Sequence, residues 1–164
     1  MHADLLFVMA EIAAAFAGFS SLVAAIARRD SNDRDQLEFD FRTLRNVLLL
    51  SLQAIAYALL PTVIEGQGVS SELSFRLSAC VFFLAGGPYL AFTLRQIPNA
   101  YSRLSRTVPL SFWINAGAVI IAVGAQAFVG LGLLPIHTYL IALALFLYCA
   151  GFGFVRLFVS LRPS

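Results

Sequence analysis

The chain has 164 residues, of which 60% are hydrophobic and only 12% are charged, and its formal net charge is +2. An ordinary soluble domain has about 45–50% apolar and about 25% charged residues, so this composition excludes one and indicates an integral membrane protein. The basic residues are all arginines, which are interleaved with acids or lie beside apolar segments, and this placement excludes nucleic-acid binding.

Five long apolar segments occupy most of the chain. About 20 apolar residues cross a hydrocarbon core, and these segments are apolar all round, which is typical of helices in lipid. We therefore predict an all-α integral membrane protein in which residues 1–164 form a single transmembrane domain, a bundle of five helices. The predicted spans are about 4–27, 47–65, 77–94, 112–131 and 139–159.

The first segment is predicted to remain in the mature protein as a helix. It lacks the basic start of a signal peptide, and its apolar stretch exceeds the 7–15 residues usual there. Arg28 and Arg29 follow it directly, as expected for a stop-transfer segment.

The same segment carries the strongest functional signal. Asp4, Glu11 and Gly18 recur every seven residues and form a stripe along one side of the predicted helix, with Glu11 about 10 Å along the axis from Asp4. A carboxylate inside an apolar span is read as functional by default. Small residues at spacings of three and four favour close approach of another helix. They are Ala10, Ala14, Ala17, Gly18, Ser21 and Ala25.

Two hypotheses for Glu11 remain open at this point. In the first, several copies of the helix surround an axis, and Glu11 forms a ring that attracts cations. In the second, Glu11 is a structural residue that forms a hydrogen bond with Gln126, at similar depth in the fourth span.

The ring hypothesis assigns a role to each polar group of the first helix. Carboxylates attract ions at the outer mouth, small residues line the middle, and arginines modulate the inner exit. The predicted pore and ion-binding residues are Asp4, Glu11, Gly18, Ser21, Arg28 and Arg29.

The second span is predicted to begin well before its apolar part. Leu37, Phe41, Leu44 and Leu48 recur at helical spacing, which predicts a helix over about 33–65. Such a helix is about 50 Å long, against a hydrocarbon core of about 30 Å, so it would project into the cytoplasm.

Polar residues in the other spans have structural roles in this interpretation. Gln53 and Asn115 are predicted to pair in the cytoplasmic half, because buried amides seek partners, and Glu72 and Arg76 are predicted to form a solvated pair. The tyrosines within the spans are predicted to be packing residues. They are Tyr57, Tyr89 and Tyr148.

Proline and glycine punctuate three spans. We expect Pro61 to make a kink whose freed backbone group is satisfied by a neighbouring helix. The run 86–88, Gly-Gly-Pro, falls inside the third span, where we likewise expect a tolerated packing kink rather than the broken helix of a transporter. The connection between Pro98 and Pro109 is expected to lie at the headgroups.

The arginines predict the orientation. Alternating sides put ten arginines on one side and Arg76 alone on the other. The arginine-rich side is expected to be cytoplasmic, which places the N-terminus outside and the C-terminus inside, in a cell membrane of the bacterial inner-membrane type.

Enzymatic chemistry finds little support. His2 and His137 lack the spacing of a metal site, Cys80 and Cys149 are isolated, and no phosphate-binding loop or catalytic triad is present. We therefore predict no enzyme activity, no metal and no cofactor.

The sequence thus predicts a small, cation-preferring ion channel. Five helices are too few to enclose a pore within one chain, so the partners are expected to be the lipid bilayer and further copies, four to six in a ring. The alternatives are a non-catalytic accessory subunit, which would pack against an unknown larger membrane partner, and a small transporter.

Overall fold

Five α-helices and the short turns between them make up the part of the chain that the structure describes. This structure is a computed structural model that describes the backbone of residues 2–27, 34–103 and 110–160, and side chains within 4–23, 41, 44–96 and 110–155. The helices are α1 (His2–Ala27), α2 (Arg34–Glu65), α3 (Ser71–Arg103), α4 (Leu110–Gly130) and α5 (His137–Ser160).

Each helix contains a stretch long and apolar enough to cross a membrane, which confirms the all-helical prediction with five candidate spans. The stretches contain at least 18 residues, and no more than a few are charged. They are Asp4–Val23, Leu44–Glu65, Ser71–Gln96, Leu110–Gly130 and His137–Val155.

The helix boundaries test the expectations for the second and third spans. α2 begins at Arg34, so the predicted helical extension of the second span is confirmed. α3 runs unbroken through residues 86–88, so the broken-helix alternative does not apply to the third span. One proline removes a single helical hydrogen bond, and Gly86 is held against Val123 of α4, where an added Cβ would lie 3.3 Å from the valine.

α3 also extends beyond the predicted third span at both ends. It begins at Ser71, directly after Ser70, whose carbonyl accepts the first helical hydrogen bond from the Ser74 N–H at 2.9 Å. Glu72 lies in the first turn, where a negative charge is favourable. It continues through Pro98 to Arg103, so much of the predicted third connection is helical. Residues 104–109 lie outside the described part of the chain.

Helices α2 to α5 form a four-helix unit, and α1 packs across the groove between α2 and α5. α2 contacts α1, α3 and α5, while α4 contacts α3 and α5. The turns 66–70 and 131–136 lie at one end of the unit, together with the start of α1. We call this the Arg-poor end and the opposite one the Arg-rich end.

Aromatic rings fill the centre of the four-helix unit. Tyr57 of α2 stacks on Phe82 of α3, with ring centroids 4.0 Å apart. Phe146 and Tyr139 of α5 meet Phe82 edge-on at 5.4 and 6.1 Å. Tyr139, Phe82 and Phe146 are completely buried, so the interior at this level is a packed core.

One of these aromatic residues replaces the helical hydrogen bond that Pro61 removes from α2. Pro61 has no N–H to bond the carbonyl of Tyr57, four residues earlier. The Tyr139 hydroxyl donates to that carbonyl, with an O···O distance of 2.5 Å. The expectation that a neighbouring helix satisfies the group freed by Pro61 is confirmed.

Two glycines of α5 allow α1 and α2 to pack closely against it. A Cβ on Gly153 of α5 would lie 2.9 Å from the Val47 side chain of α2, and one on Gly151 would lie 3.0 Å from the ring of Phe16 on α1. A contact of 2.9 Å would require Val47 to shift, and one of 3.0 Å is tighter than most real Cβ contacts. The two glycines therefore allow α1 and α2 to pack closely against α5.

Candidate functional site

Helix α1 has one packed face and one exposed face. Leu6, Ala13 and Ser20 are almost fully buried against α2 and α5. Asp4, Glu11 and Gly18, which recur every seven residues, are exposed. Leu6 comes two residues after Asp4, and two residues turn a helix by about 200°. The carboxylate stripe therefore lies opposite the packing face.

The small residues of α1 are divided between these faces. Ala10 is buried and Ala17 is half-buried, so both serve packing within the protomer. Ala14, Gly18 and Ser21 are exposed, and a Cβ added to Gly18 would meet no atom within 4 Å. Part of the small-residue pattern is thus left available for another helix. The side chain of Ala25 lies outside the described residues.

Glu11 is exposed among apolar side chains. Phe7, Val8 and Ile12 around it are 44–49% exposed, as expected for a surface in contact with lipid. Within the described part of the chain, the Glu11 carboxylate has no hydrogen bond and no ion pair. A charge at this depth needs water, a proton or a polar partner.

The structure does not bring Glu11 and Gln126 together. Gln126 is completely buried in α4, its Nε2 donates to the Ala122 carbonyl at 3.4 Å, and its Oε1 accepts no hydrogen bond from the described residues. Glu11 is on the exposed face of α1, which packs against α2 and α5. The predicted hydrogen bond between these two side chains therefore does not form.

The predicted amide pair between Gln53 and Asn115 does not form either. Asn115 Nδ2 donates to the Ser111 carbonyl of its own helix at 2.7 Å. Gln53 Oε1 and Asn115 Oδ1 are both buried without a partner among the described residues. The helix order explains this result, because α2 and α4 lie diagonally across the four-helix unit rather than side by side.

Of the remaining predicted pore residues, only the surroundings of Ser21 are described by the structure. The Ser21 hydroxyl donates to the Ala17 carbonyl at 2.9 Å, which leaves its oxygen lone pairs on the exposed face. Arg28 and Arg29 lie outside the described residues. Over the residues that are described, no three His, Cys, Asp or Glu side chains are grouped as a metal site.

The predicted solvated pair is confirmed, whereas one tyrosine prediction is wrong. Arg76 forms a salt bridge with Glu72 one turn earlier on α3. Tyr57 is a packing residue, as expected, but Tyr148 of α5 is 62% exposed. Tyr148 comes two residues after the buried Phe146, so a helical wheel of α5 already placed the two on opposite sides.

Comparison with protein-family models, with curated proteins and with solved structures finds no match for this chain. The functional assignment therefore rests on the exposed carboxylate stripe of α1 and on the packing of the protomer.

Proposed function

We propose that the protein is a small homo-oligomeric ion channel that prefers cations. Four to six copies surround an axis, and α1 of each copy lines the ion path. The observation that carries this proposal is Glu11, an exposed carboxylate in an apolar span, on the face of α1 opposite its packing contacts.

The filled core of the protomer favours a path between protomers over a path within one. Phe82 and Phe146 are completely buried at the centre of the four-helix unit, and their rings meet edge-on. An ion could cross this level of a single chain only if the aromatic cluster opened. A path along α1 needs no such rearrangement.

The exposed face of α1 suits an ion path. Asp4 and Glu11 supply two levels of negative charge, and rings of carboxylates select cations in channels. Gly18 leaves open space and the Ser21 hydroxyl offers lone pairs, so neighbouring copies of α1 can approach while a polar lining remains. Arg28 and Arg29 are proposed to modulate the exit.

The distribution of arginines supports an orientation for this channel. By their positions in the sequence, ten arginines belong to connections and a tail on one side of the five spans, and only Arg76 belongs to the other side. By the positive-inside rule the Arg-rich end is cytoplasmic, so Asp4 and Glu11 lie toward the outer mouth. A bacterial inner membrane is the proposed location.

The decisive variant is Glu11→Gln, measured in planar bilayers with the purified protein. Clefts lined by one sign of charge raise the local concentration of counter-ions by about tenfold or more. We expect the variant to lose about threefold or more of the cation-over-anion permeability ratio. Reversal potentials in a salt gradient report that ratio directly.

Glu65→Gln is the matched control, since Glu65 is an exposed carboxylate at the end of α2, away from the stripe. It should leave the permeability ratio unchanged. Equal ratios for Glu11→Gln and the wild type would contradict the ring. A protein that never conducts alone but co-purifies with a membrane partner would instead identify an accessory subunit, and saturable uptake would identify a transporter.

A further inference from the structure

We infer that Tyr148 of one protomer donates a hydrogen bond to Glu11 of the neighbouring protomer. The inference rests on the proposed homo-oligomer and names the contact that joins its subunits. The partner is thus a second copy of this chain, and it contributes one of the two side chains at each contact.

Tyr148 and Glu11 lie at nearly the same depth in the protomer. α1 and α5 run parallel, since Phe16 lies against Gly151 and Phe19 lies beside Phe154, with ring centroids 6.4 Å apart. This register puts Glu11 level with Phe146. Tyr148 is two residues farther along α5, which is about 3 Å along the axis.

Both side chains are polar groups exposed in the middle of apolar spans. Tyr148 is 62% exposed, and neither its hydroxyl nor the Glu11 carboxylate has a partner among the described residues. Lipid supplies neither donors nor acceptors, so a polar group there is satisfied by protein or by water. The Tyr148 hydroxyl is a hydrogen-bond donor, and the Glu11 carboxylate is a strong acceptor.

Rotation about an axis along the membrane normal preserves depth. In a ring of any size, Tyr148 of one copy therefore differs in depth from Glu11 of the next by only about 3 Å, an offset that the two side chains can span where their helices meet. Each protomer gives its carboxylate to one neighbour and its hydroxyl to the other, the head-to-tail arrangement of a closed ring. The second carboxylate oxygen remains directed toward the ion path.

Disulfide crosslinking between two kinds of chain tests this contact. In a Cys80→Ala, Cys149→Ala background, one tagged chain carries Glu11→Cys, and a second chain with a different tag carries Tyr148→Cys. The chains are co-expressed and oxidised in membranes. A disulfide between the two tags can form only across an interface, and we expect it to be the main crosslinked product.

Ile114→Cys in place of Tyr148→Cys is the matched control. Ile114 is 63% exposed and adjoins Asn115, whose carbonyl is contacted by Cys149 of α5, so it has similar exposure and depth but lies on α4. It should not crosslink to Glu11→Cys. Equal crosslinking of both partners, or none with Tyr148→Cys, would overturn the inferred contact.

Two further measurements separate this inference from the channel proposal. Tyr148→Phe should weaken subunit association about threefold per interface, the effect of one interhelical hydrogen bond. Glu11→Gln should retain association, because the amide oxygen still accepts, while it alters selectivity. A ring that persists without the 11–148 crosslink overturns only the contact, whereas a monomer in lipid overturns the ring as well.

Discussion

The four-helix unit and α1 differ in where their polar side chains find hydrogen-bond partners. Inside the unit, polar side chains mostly turn to nearby backbone: the Tyr139 hydroxyl donates to Tyr57 and the Asn115 amide to Ser111. On α1 the ionisable Glu11 lies on the surface without a described partner. Some acceptors inside the unit, such as Gln53 Oε1 and Gln126 Oε1, have no partner among the described residues, but they are buried in the protomer. The Glu11 carboxylate is instead exposed to whatever surrounds the protomer, which is why we propose that neighbouring copies meet at α1.

This comparison predicts the largest stability effect in the aromatic core. Phe82→Ala should lower the free energy of unfolding by about 2 kcal/mol or more, because it leaves a cavity against Tyr57 and Phe146. Phe7→Ala, on the exposed face of α1, should change it by less than about 0.5 kcal/mol. Unfolding of each purified variant in mixed micelles by added SDS measures both values, and equal losses would contradict the contrast.

Glycine-to-alanine substitutions test the same contrast between the packed core and the exposed face of α1 with a smaller change in side-chain volume. Gly153→Ala should lower the free energy of unfolding by about 1–3 kcal/mol, because its Cβ would lie 2.9 Å from the Val47 side chain. Gly18→Ala should leave protomer stability unchanged, since its Cβ meets no atom within 4 Å. The same SDS titration reports both variants. A destabilising Gly18→Ala would show that the exposed face of α1 packs within the protomer after all.

Tyr139→Phe tests the hydrogen bond that the Tyr139 hydroxyl donates to the Tyr57 carbonyl of α2. Without this hydrogen bond the Tyr57 carbonyl has no partner, because Pro61 lacks an N–H. The variant should therefore lower the free energy of unfolding by about 1 kcal/mol. In a Pro61→Ala background the helix can bond that carbonyl itself, so the effect of Tyr139→Phe should shrink. A double-mutant cycle measures this coupling, and strictly additive effects would mean that the Tyr139 hydroxyl does not replace the missing helical bond.

Periodicity and hydrophobic length were sufficient to predict the helices. The apolar segments and the row of Leu37, Phe41, Leu44 and Leu48 predicted five helices and the early start of α2. The full length of α3, from Ser71 to Arg103, was not predicted, because hydrophobic length identifies the part of a helix that can cross a membrane and not its more polar ends.

Partners of polar side chains were harder to predict than helices. Similar depth suggested pairing of Gln53 with Asn115 and of Glu11 with Gln126. Pairing also requires adjacent helices and converging faces, and these depend on the order of helices in the bundle, which one-dimensional patterns do not contain. The stripe of α1 needed no such information, because residues seven apart share a face of any single helix.

The number of subunits tests the central claim most directly, since the claimed ion path exists only between protomers. Native mass spectrometry of the protein released from lipid nanodiscs counts them. We expect a closed ring of four to six copies. A monomer or a dimer that persists in lipid would contradict a path lined by α1.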